Sequence, residues 1–413
     1  MIKKIPIERL RVGMYIHDIN CGWLDHPFLL NQLFVRDEKT LARVVRTGTR
    51  EVYIDSERGL DVFDESDERP ADEPVLFKPK EQVDRELLAE LHRVIGSAPP
   101  SRAPRPVREE LFYARSTAKE AKRVVSSVMH SVRAGRQFEV AEVEDVVEQL
   151  AESVLRNPQA LIGLTRIRHR DHYTFEHSVS VAVFMLAFAR ALGFDEQTVR
   201  ELGVGGLLHD IGKTRIPLHV LNKPGALTEE EYAVMREHVT LGRALLEEHG
   251  GIGPIAMAVV AEHHERCDGN GYPRQLKGEE ISRYGQMAAI VDVYDAVTAD
   301  RVYHTAEVPT RVLGQLIEWG AHHFSMPLVH QFIRCVGIYP VGSLVMLSNG
   351  WIGVVLEQGT QDLLHPRVRV VYDSRAREFM PPKDIDLATD HEYRIDGAAS
   401  ETRWGINGVD YLD

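Results

Sequence analysis

Residues 263–273 read HHERCDGNGYP, and the order of residue types in this stretch decides what surrounds it. It closes the apolar run IAMAVVAE of residues 255–262. Adjacent side chains on a helix point about 100° apart, so His263 and His264 cannot both face one apolar core. Asn270–Gly271 breaks the helix, and Gly269 and Gly271 suit tight turns or positive φ. The pattern is a helix end meeting a tight loop, with a polar task at the junction.

Outward from this junction, residues from about 108 to 337 carry helical periodicity. The segment TEEEYAVMREHVTLGRALLEEH (228–249) opens at Thr228 with Glu231 three residues on, a capping-box signature. His177 opens HSVSVAVFMLAFA, where Val181, Phe184, Met185 and Phe188 share its face. His209–Asp210 ends the run GVGGLLHDIGK. His238 has Met235, Leu241 and Leu245 on its face. Asp292 lies inside MAAIVDVYDAVTA, beside Ala288, Val291 and Ala296.

Taken singly, these positions have plain explanations. A helical histidine among 19 is more often a satisfied or exposed side chain than a ligand. Asp292 reads equally well as a buried acceptor, and His209–Asp210 as a helix C-terminal cap. Together they are five imidazoles and two carboxylates at core-facing ends of helices that one bundle brings together. A buried unpaired carboxylate is expensive and is relieved by pairing, protonation or metal binding. Imidazole and carboxylate suit Mn, Fe or Zn, while the lack of nearby thiolates argues against a structural zinc site.

Composition narrows the class. A chain of 413 residues is too long for one ordinary core, and 44% hydrophobic with 27% charged residues is globular. The net charge of −13 argues against DNA or anionic-membrane binding, so an anionic substrate needs a local positive site. Three scattered cysteines, Cys21, Cys267 and Cys335, suggest a reducing compartment. The apolar run Val181–Ala189 is about half of the ~20 residues that a membrane span needs. The first residues contain no apolar signal core. The expected location is cytoplasmic.

Residues 1–63 alternate β-like pieces (MYIHDI, EVYID) with a helical stretch near Asp37–Thr47, a small α+β module. Residues 64–107 form an acidic and proline-rich linker with one helix over 82–95. Residues 108–337 are the helical domain. Beyond 338 the period switches to two, and SLVML, WIGVVLE and RVRVVYD read as strands of a β-rich C-terminal module, 338–413.

The motifs carry a family resemblance. LLHDIGK (207–213) resembles the signature of the HD phosphohydrolases. HHERCDGNGYP followed by IVDVYDA (290–296) resembles the longer signature of the HD-GYP subfamily, the bacterial cyclic di-GMP phosphodiesterases. IPIERLRVGMYI and WLDHPFL are similar to a small module often found ahead of such domains, and the β-rich tail is similar to the ending of such chains. The resemblance implies a mainly α fold, an HD-type helical bundle flanked by these modules.

It also implies a site. Two divalent ions, Fe or Mn, are expected: one on His177, His209, Asp210 and Asp292, the other on His238, His263 and His264, with Asp210 bridging. Asp210 and Lys213 are the catalytic candidates. The ions share a hydroxide that attacks phosphorus in line, and Lys213 meets charge on the phosphoryl oxygens; outside this motif Lys213 reads as a solvated lysine at a helix end. Tyr272, Arg301, His304 and Lys213 are the candidate substrate contacts, although His304 stands where the family more often has lysine or arginine. Asp268 is expected to orient a ligand or a loop amide. Members with a third metal carry a glutamate where this chain has Tyr173, and phenol is a poor ligand near neutral pH. The implied activity is hydrolysis of cyclic di-GMP to linear pGpG, with further hydrolysis to GMP left open. The alternative from another class is a cyclic-dinucleotide receptor or scaffold without turnover. Diguanylate cyclase (GGDEF) proteins are candidate partners for the GYP loop, and a homodimer is a candidate assembly.

Overall fold

A helix that is apolar all round belongs at the centre of a core. The run Val181–Ala189 is of this kind, and in the computed structural model every residue of it is buried within α5 (Tyr173–Ala191). The structure describes residues 2–19, 33–45, 49, 51–61, 91, 105–166, 173–223, 227–299, 307–320, 322–359 and 363–412. The chain divides into two compact units, Met1–Lys80 with Ile216–Arg236, and Glu81–Arg215 with Glu237–Asp413. Among the described residues no helix is long and apolar enough to cross a membrane. The helix expected over 82–95 and the two linkers fall almost wholly outside the described residues.

The smaller unit contains strands β1 (Ile2–Pro6), β2 (Tyr15–Asp18), β3 (Leu33–Phe34) and β4 (Glu51–Asp55), with helix α1 (Glu38–Val45) before β4. The sheet order is β1-β4-β2-β3, with antiparallel pairs. Alternation along β4 buries Val52 and Ile54 with Ile5, Met14, Ile16, Val35 and Val44. The short helix α7 (Leu218–Leu221) also lies in this unit.

In the larger unit the helices are α2 (Val107–Arg133), α3 (Val140–Arg156), α4 (Pro158–Leu164), α5, and α6 (Glu196–Leu208). After α6 comes a tight 3-10 turn, Ile211–Arg215, and later α8 (Glu229–His249), which belongs to this unit from Glu237 on, α9 (Pro254–Glu262), α10 (Arg283–Thr298), α11 (Pro309–Gly320) and α12 (Met326–Val336). The capping box at α8 is formed: Glu231 Oε2 accepts from Thr228 N–H at 2.7 Å, and Thr228 Oγ1 from Glu231 N–H at 3.3 Å. Phe188, Tyr294 and Phe332 join α5, α10 and α12, with ring centroids 5.3 Å and 5.1 Å apart along the series Phe188–Phe332–Tyr294. The fold is mainly α, as the sequence implies.

The C-terminal sheet has five antiparallel strands, β5 (Leu344–Leu347), β6 (Trp351–Glu357), β7 (Arg367–Asp373), β8 (Glu378–Asp386) and β9 (Ile395–Ala399), in the order β8-β7-β6-β5-β9. The sequence reading names the first three. β8 contains Pro381–Pro382, which argues against a strand, and the structure places it at the sheet edge, with both prolines in the register break between Phe379 and Lys383. A small helix, α13 (Glu401–Trp404), follows β9, and Arg166 of the bundle pairs with its Glu401 at 2.8 Å.

Helix α6 is set close to three neighbours by glycine. A Cβ at Gly206 would lie 2.7 Å from Ala182 Cα of α5, and one at Gly205 would lie 2.7 Å from Val259 Cβ of α9. At Gly203 it would meet Val147 of α3 and Leu186 of α5. Helix propensity alone makes Gly206→Ala stabilising by about 1 kcal/mol. The backbone contact reverses the sign, and a net loss of about 1–3 kcal/mol is expected in urea unfolding. Gly397→Ala, where nothing lies within 4 Å, should be close to neutral. Unfolding of Gly206→Ala at or above the parent's midpoint would contradict this packing.

Candidate metal centre

Helix α6 delivers the centre's two best-connected side chains at its C-terminal end. His209 is the C-cap residue of α6, and Asp210 follows it into the turn Ile211–Arg215. That turn lies against α8 without a side chain between them: a Cβ at Gly212 would be 1.8 Å from the carbonyl oxygen of His238. His177 enters from the first turns of α5, His263 and His264 from the end of α9, and Asp292 from the middle of α10. His177, His209, Asp210, His238, His263 and Asp292 are each no more than 3% exposed.

Asp210 faces both halves of this cluster. Its Oδ2 lies 3.3 Å from His209 Nε2 and 3.8 Å from His177 Nε2. Its Oδ1 lies 3.4 Å from His238 Nε2 and 4.0 Å from His263 Nε2. On the first side, Asp292 Oδ1 is 3.0 Å from His177 Nε2. On the second, the Nε2 atoms of His238 and His263 are 3.4 Å apart. The Lys213 ammonium sits 2.6 Å from Asp210 Oδ2.

Behind the rings, His209 Nδ1–H donates to the Gly206 carbonyl at 2.8 Å and His263 Nδ1–H to the Val260 carbonyl at 2.9 Å. A carbonyl only accepts, so Nδ1 carries a proton in both rings, and in the neutral form Nε2 faces inward as a bare lone pair. Asp295 Oδ2 lies 2.6 Å from His177 Nδ1.

The charge states suit ligation. Burial, reinforced by His209 and His238, pushes the His263 imidazole down to about 3, and burial reinforced by His263 and His238 holds His264 well below its ordinary value. Burial works against the two carboxylates, yet His177 with His264 for Asp292, and Lys213 with His209 for Asp210, hold both well below the usual carboxylate range. Burial also opposes a charged His209, but Asp210 and Asp292 outweigh it and raise that ring. Two anionic carboxylates therefore face imidazoles, two of which are firmly neutral, the state in which a metal binds.

Buried His209 Nε2 and Asp210 Oδ1 make no hydrogen bond among the described residues. Their neighbours are near enough, but the directions are wrong. Leaving such atoms unsatisfied costs about 1–3 kcal/mol each, and a cation held on each side of Asp210 would remove the deficit. The ligand atoms of His177, His209 and Asp292 lie within 4.8 Å of one another, as do those of His238, His263 and His264. A third such group, His209, Asp210 and His263, links the two. The donor set fits divalent Mn, Fe or Zn.

The loop after α9 is tied down by two buried carboxylates. Glu265 accepts from the backbone N–H groups of Arg274 at 2.7 Å and Leu276 at 3.0 Å. Glu262 accepts from the Arg274 guanidinium at 2.5 Å and from Ser282 N–H at 2.9 Å. A Cβ at Gly271 would meet Arg266 N at 2.3 Å, and Gly269 has φ +80°. Tyr272 N–H donates to the His264 carbonyl at 3.1 Å, and its ring stacks on the His264 imidazole, centroids 4.7 Å apart. Asp268 accepts from Asn270 N–H at 3.0 Å, so it orients a loop amide.

The structure thus brings together His177, His209, Asp210, Lys213, His238, His263, His264, Tyr272 and Asp292. Arg301, His304 and the side chain of Tyr173 fall outside the described residues. Sequence reasoning missed Asp295, Glu262 and Glu265. Asp295 had a signal, since it follows Asp292 by three residues and so shares its helix face. Glu265 stood inside the quoted motif with no task assigned.

Comparison with known proteins adds three family models and several relatives. Residues 146–327 match the HD domain, residues 2–143 a domain of unknown function (DUF3391), and residues 344–405 a KOW domain associated with the HD domain. A cyclic di-GMP phosphodiesterase of Pseudomonas aeruginosa is 37% identical over 414 residues, covering 100% of this chain and 95% of the relative. A cyclic di-GMP phosphodiesterase response regulator of Xanthomonas campestris is 31% identical over 56% of this chain and 60% of its own length. A 3′3′-cGAMP-specific phosphodiesterase of Vibrio cholerae is 40% identical over 35% of this chain and 33% of its own.

Glu265→Ala leaves two loop N–H groups without their acceptor. It should cost about 1–3 kcal/mol and expose residues 266–276 to limited proteolysis, with Glu265→Gln milder. Unchanged cleavage in Glu265→Ala would mean that other contacts hold the loop.

Proposed function

The chain belongs to the HD-GYP family of HD-domain phosphodiesterases, and on that premise we propose that it hydrolyses cyclic di-GMP to linear pGpG. The observation that carries this reading is the position of Asp210, one oxygen toward His177 and His209 and the other toward His238 and His263. The full-length relative from Pseudomonas aeruginosa, which bears the name of that activity, supports the substrate.

His177, His209 and Asp292 would hold one divalent ion, His238, His263 and His264 the second, and Asp210 would serve both. Iron and manganese are the ions that this donor set favours in our reading. Such ions supply Lewis acidity to phosphate oxygens and lower the pKa of water toward neutrality. Hydrolysis adds one water across the P–O3′ bond, so phosphorus stays on the 5′ side and the 3′-oxygen leaves as a hydroxyl.

Lys213 is poised for the charge on the scissile phosphate. Its side chain is one-fifth exposed and its ammonium lies beside a buried carboxylate, so it reaches both the centre and an entering anion. Were Asp210 engaged as a metal ligand, the Lys213 ammonium now held at its Oδ2 would be free to turn toward substrate. There it would meet negative charge that grows in the transition state. Tyr272 covers the His264 ring at the edge of the cluster and offers a flat partner to an arriving base.

Hydrolysis of cyclic di-GMP, 3′3′-cGAMP and pGpG should be followed after anaerobic loading with Fe or Mn. Cyclic di-GMP is expected to be the preferred substrate. A chain loaded with both ions that leaves cyclic di-GMP intact would sink the reading. Asp210→Ala should lose both ions by elemental analysis and lose turnover, with helical circular dichroism retained. Lys213→Ala should lower kcat by about a hundredfold and move KM much less. Chelation should abolish activity, and added Mn or Fe should restore it.

A further inference from the structure

His177 lies between two carboxylates of one helix. Asp295 Oδ2 is 2.6 Å from Nδ1, and Asp292 Oδ1 is 3.0 Å from Nε2. A neutral imidazole carries one ring proton, so it donates to one of these groups and offers a lone pair to the other. We propose that Asp295 is a positioning residue that accepts a hydrogen bond from His177 Nδ1–H, aims the Nε2 lone pair of His177 at the Asp292–Asp210 side, and makes that half of the centre the tighter ion site. The inference rests on the two-ion reading above.

Three observations carry it. The Asp295 contact is the shorter, and Asp295 is fully buried, where a carboxylate needs a donor. The same arrangement recurs at His209 and His263, whose Nδ1–H groups donate backward while Nε2 faces inward. Those two rings sit at the C-terminal ends of α6 and α9, where helix carbonyls are left without intrahelical partners. His177 is the fifth residue of α5, where the nearby carbonyls accept from the helix itself. A side chain from another helix must therefore do the task, and here it is charged.

The two halves of the centre differ as a result. His177, His209 and Asp292 include a carboxylate of their own and have Asp295 behind them. His238, His263 and His264 offer only imidazoles besides the shared Asp210. A carboxylate behind a ligating histidine strengthens it as a donor, and losing one typically lowers metal affinity ten- to a hundredfold.

Titration of Mn2+ into the metal-stripped full-length chain tests this by calorimetry. The parent should bind two ions in unequal steps. Asp295→Ala should weaken the tighter step by about ten- to a hundredfold and leave the weaker step unchanged. Equal loss at both steps, or at neither, overturns the inference. A second measurement does not depend on the stability of Asp295→Ala: 15N NMR of the imidazoles of the metal-free parent, with His177 assigned through His177→Gln, should report the Nδ1–H tautomer. An Nε2–H tautomer there overturns it as well. A parent that takes up no Mn2+ fails the phosphodiesterase reading and this inference with it. Two unequal steps indifferent to Asp295 remove this inference alone.

Discussion

A carboxylate that is 1% exposed and stays ionised constrains everything around it, and Asp210 is that group. Water would solvate it at no cost, so the fold has to surround it with positive and polar atoms instead. His209 precedes it in the chain, and Lys213 comes back onto it one turn later. His177, His238 and His263 have to be brought from three other helices. The directions they take leave Asp210 Oδ1 and His209 Nε2 without hydrogen bonds. A fold tuned for stability alone would have closed those gaps, whereas a metal centre needs them open.

Bringing five chain segments within reach of one carboxylate requires backbones closer than ordinary side chains permit. The glycines of GVGG and Gly212 meet that requirement by offering no Cβ where Ala182, Val259 and the His238 carbonyl pass. The loop after α9 faces a related problem, because it must turn sharply while its amides leave water. Glu262 and Glu265 accept from those amides at 2.7 to 3.0 Å, and Gly271 permits the near-contact with Arg266. Tyr272 thereby arrives on the His264 ring through fixed backbone rather than a mobile tip.

The sequence showed some parts of this arrangement and hid others for identifiable reasons. The helical region, the N-terminal pieces MYIHDI and EVYID and three C-terminal strands were legible because apolar period survives burial. β8 was hidden by Pro381–Pro382, which an edge strand tolerates and a central strand does not. Asp295 was hidden because a carboxylate beside an apolar helix face looks the same whether it meets solvent, a cation or the back of a histidine.

Local chemistry was the sequence's own contribution: two adjacent imidazoles at a helix end, a His-Asp pair before a glycine, and an aspartate inside an apolar helix. Residue type and spacing determine these, since side-chain directions within one helix follow from its pitch. Tertiary structure decided the rest. Which oxygen of Asp210 faces which imidazole, and which nitrogen of each ring looks inward, depend on how α5, α6, α8, α9 and α10 cross. Those crossings are set by contacts between residues distant in sequence, such as Gly206 against Ala182 and Asp295 against His177. No periodicity within a segment records them, because each contact is a property of two faces and is formed only when both are present.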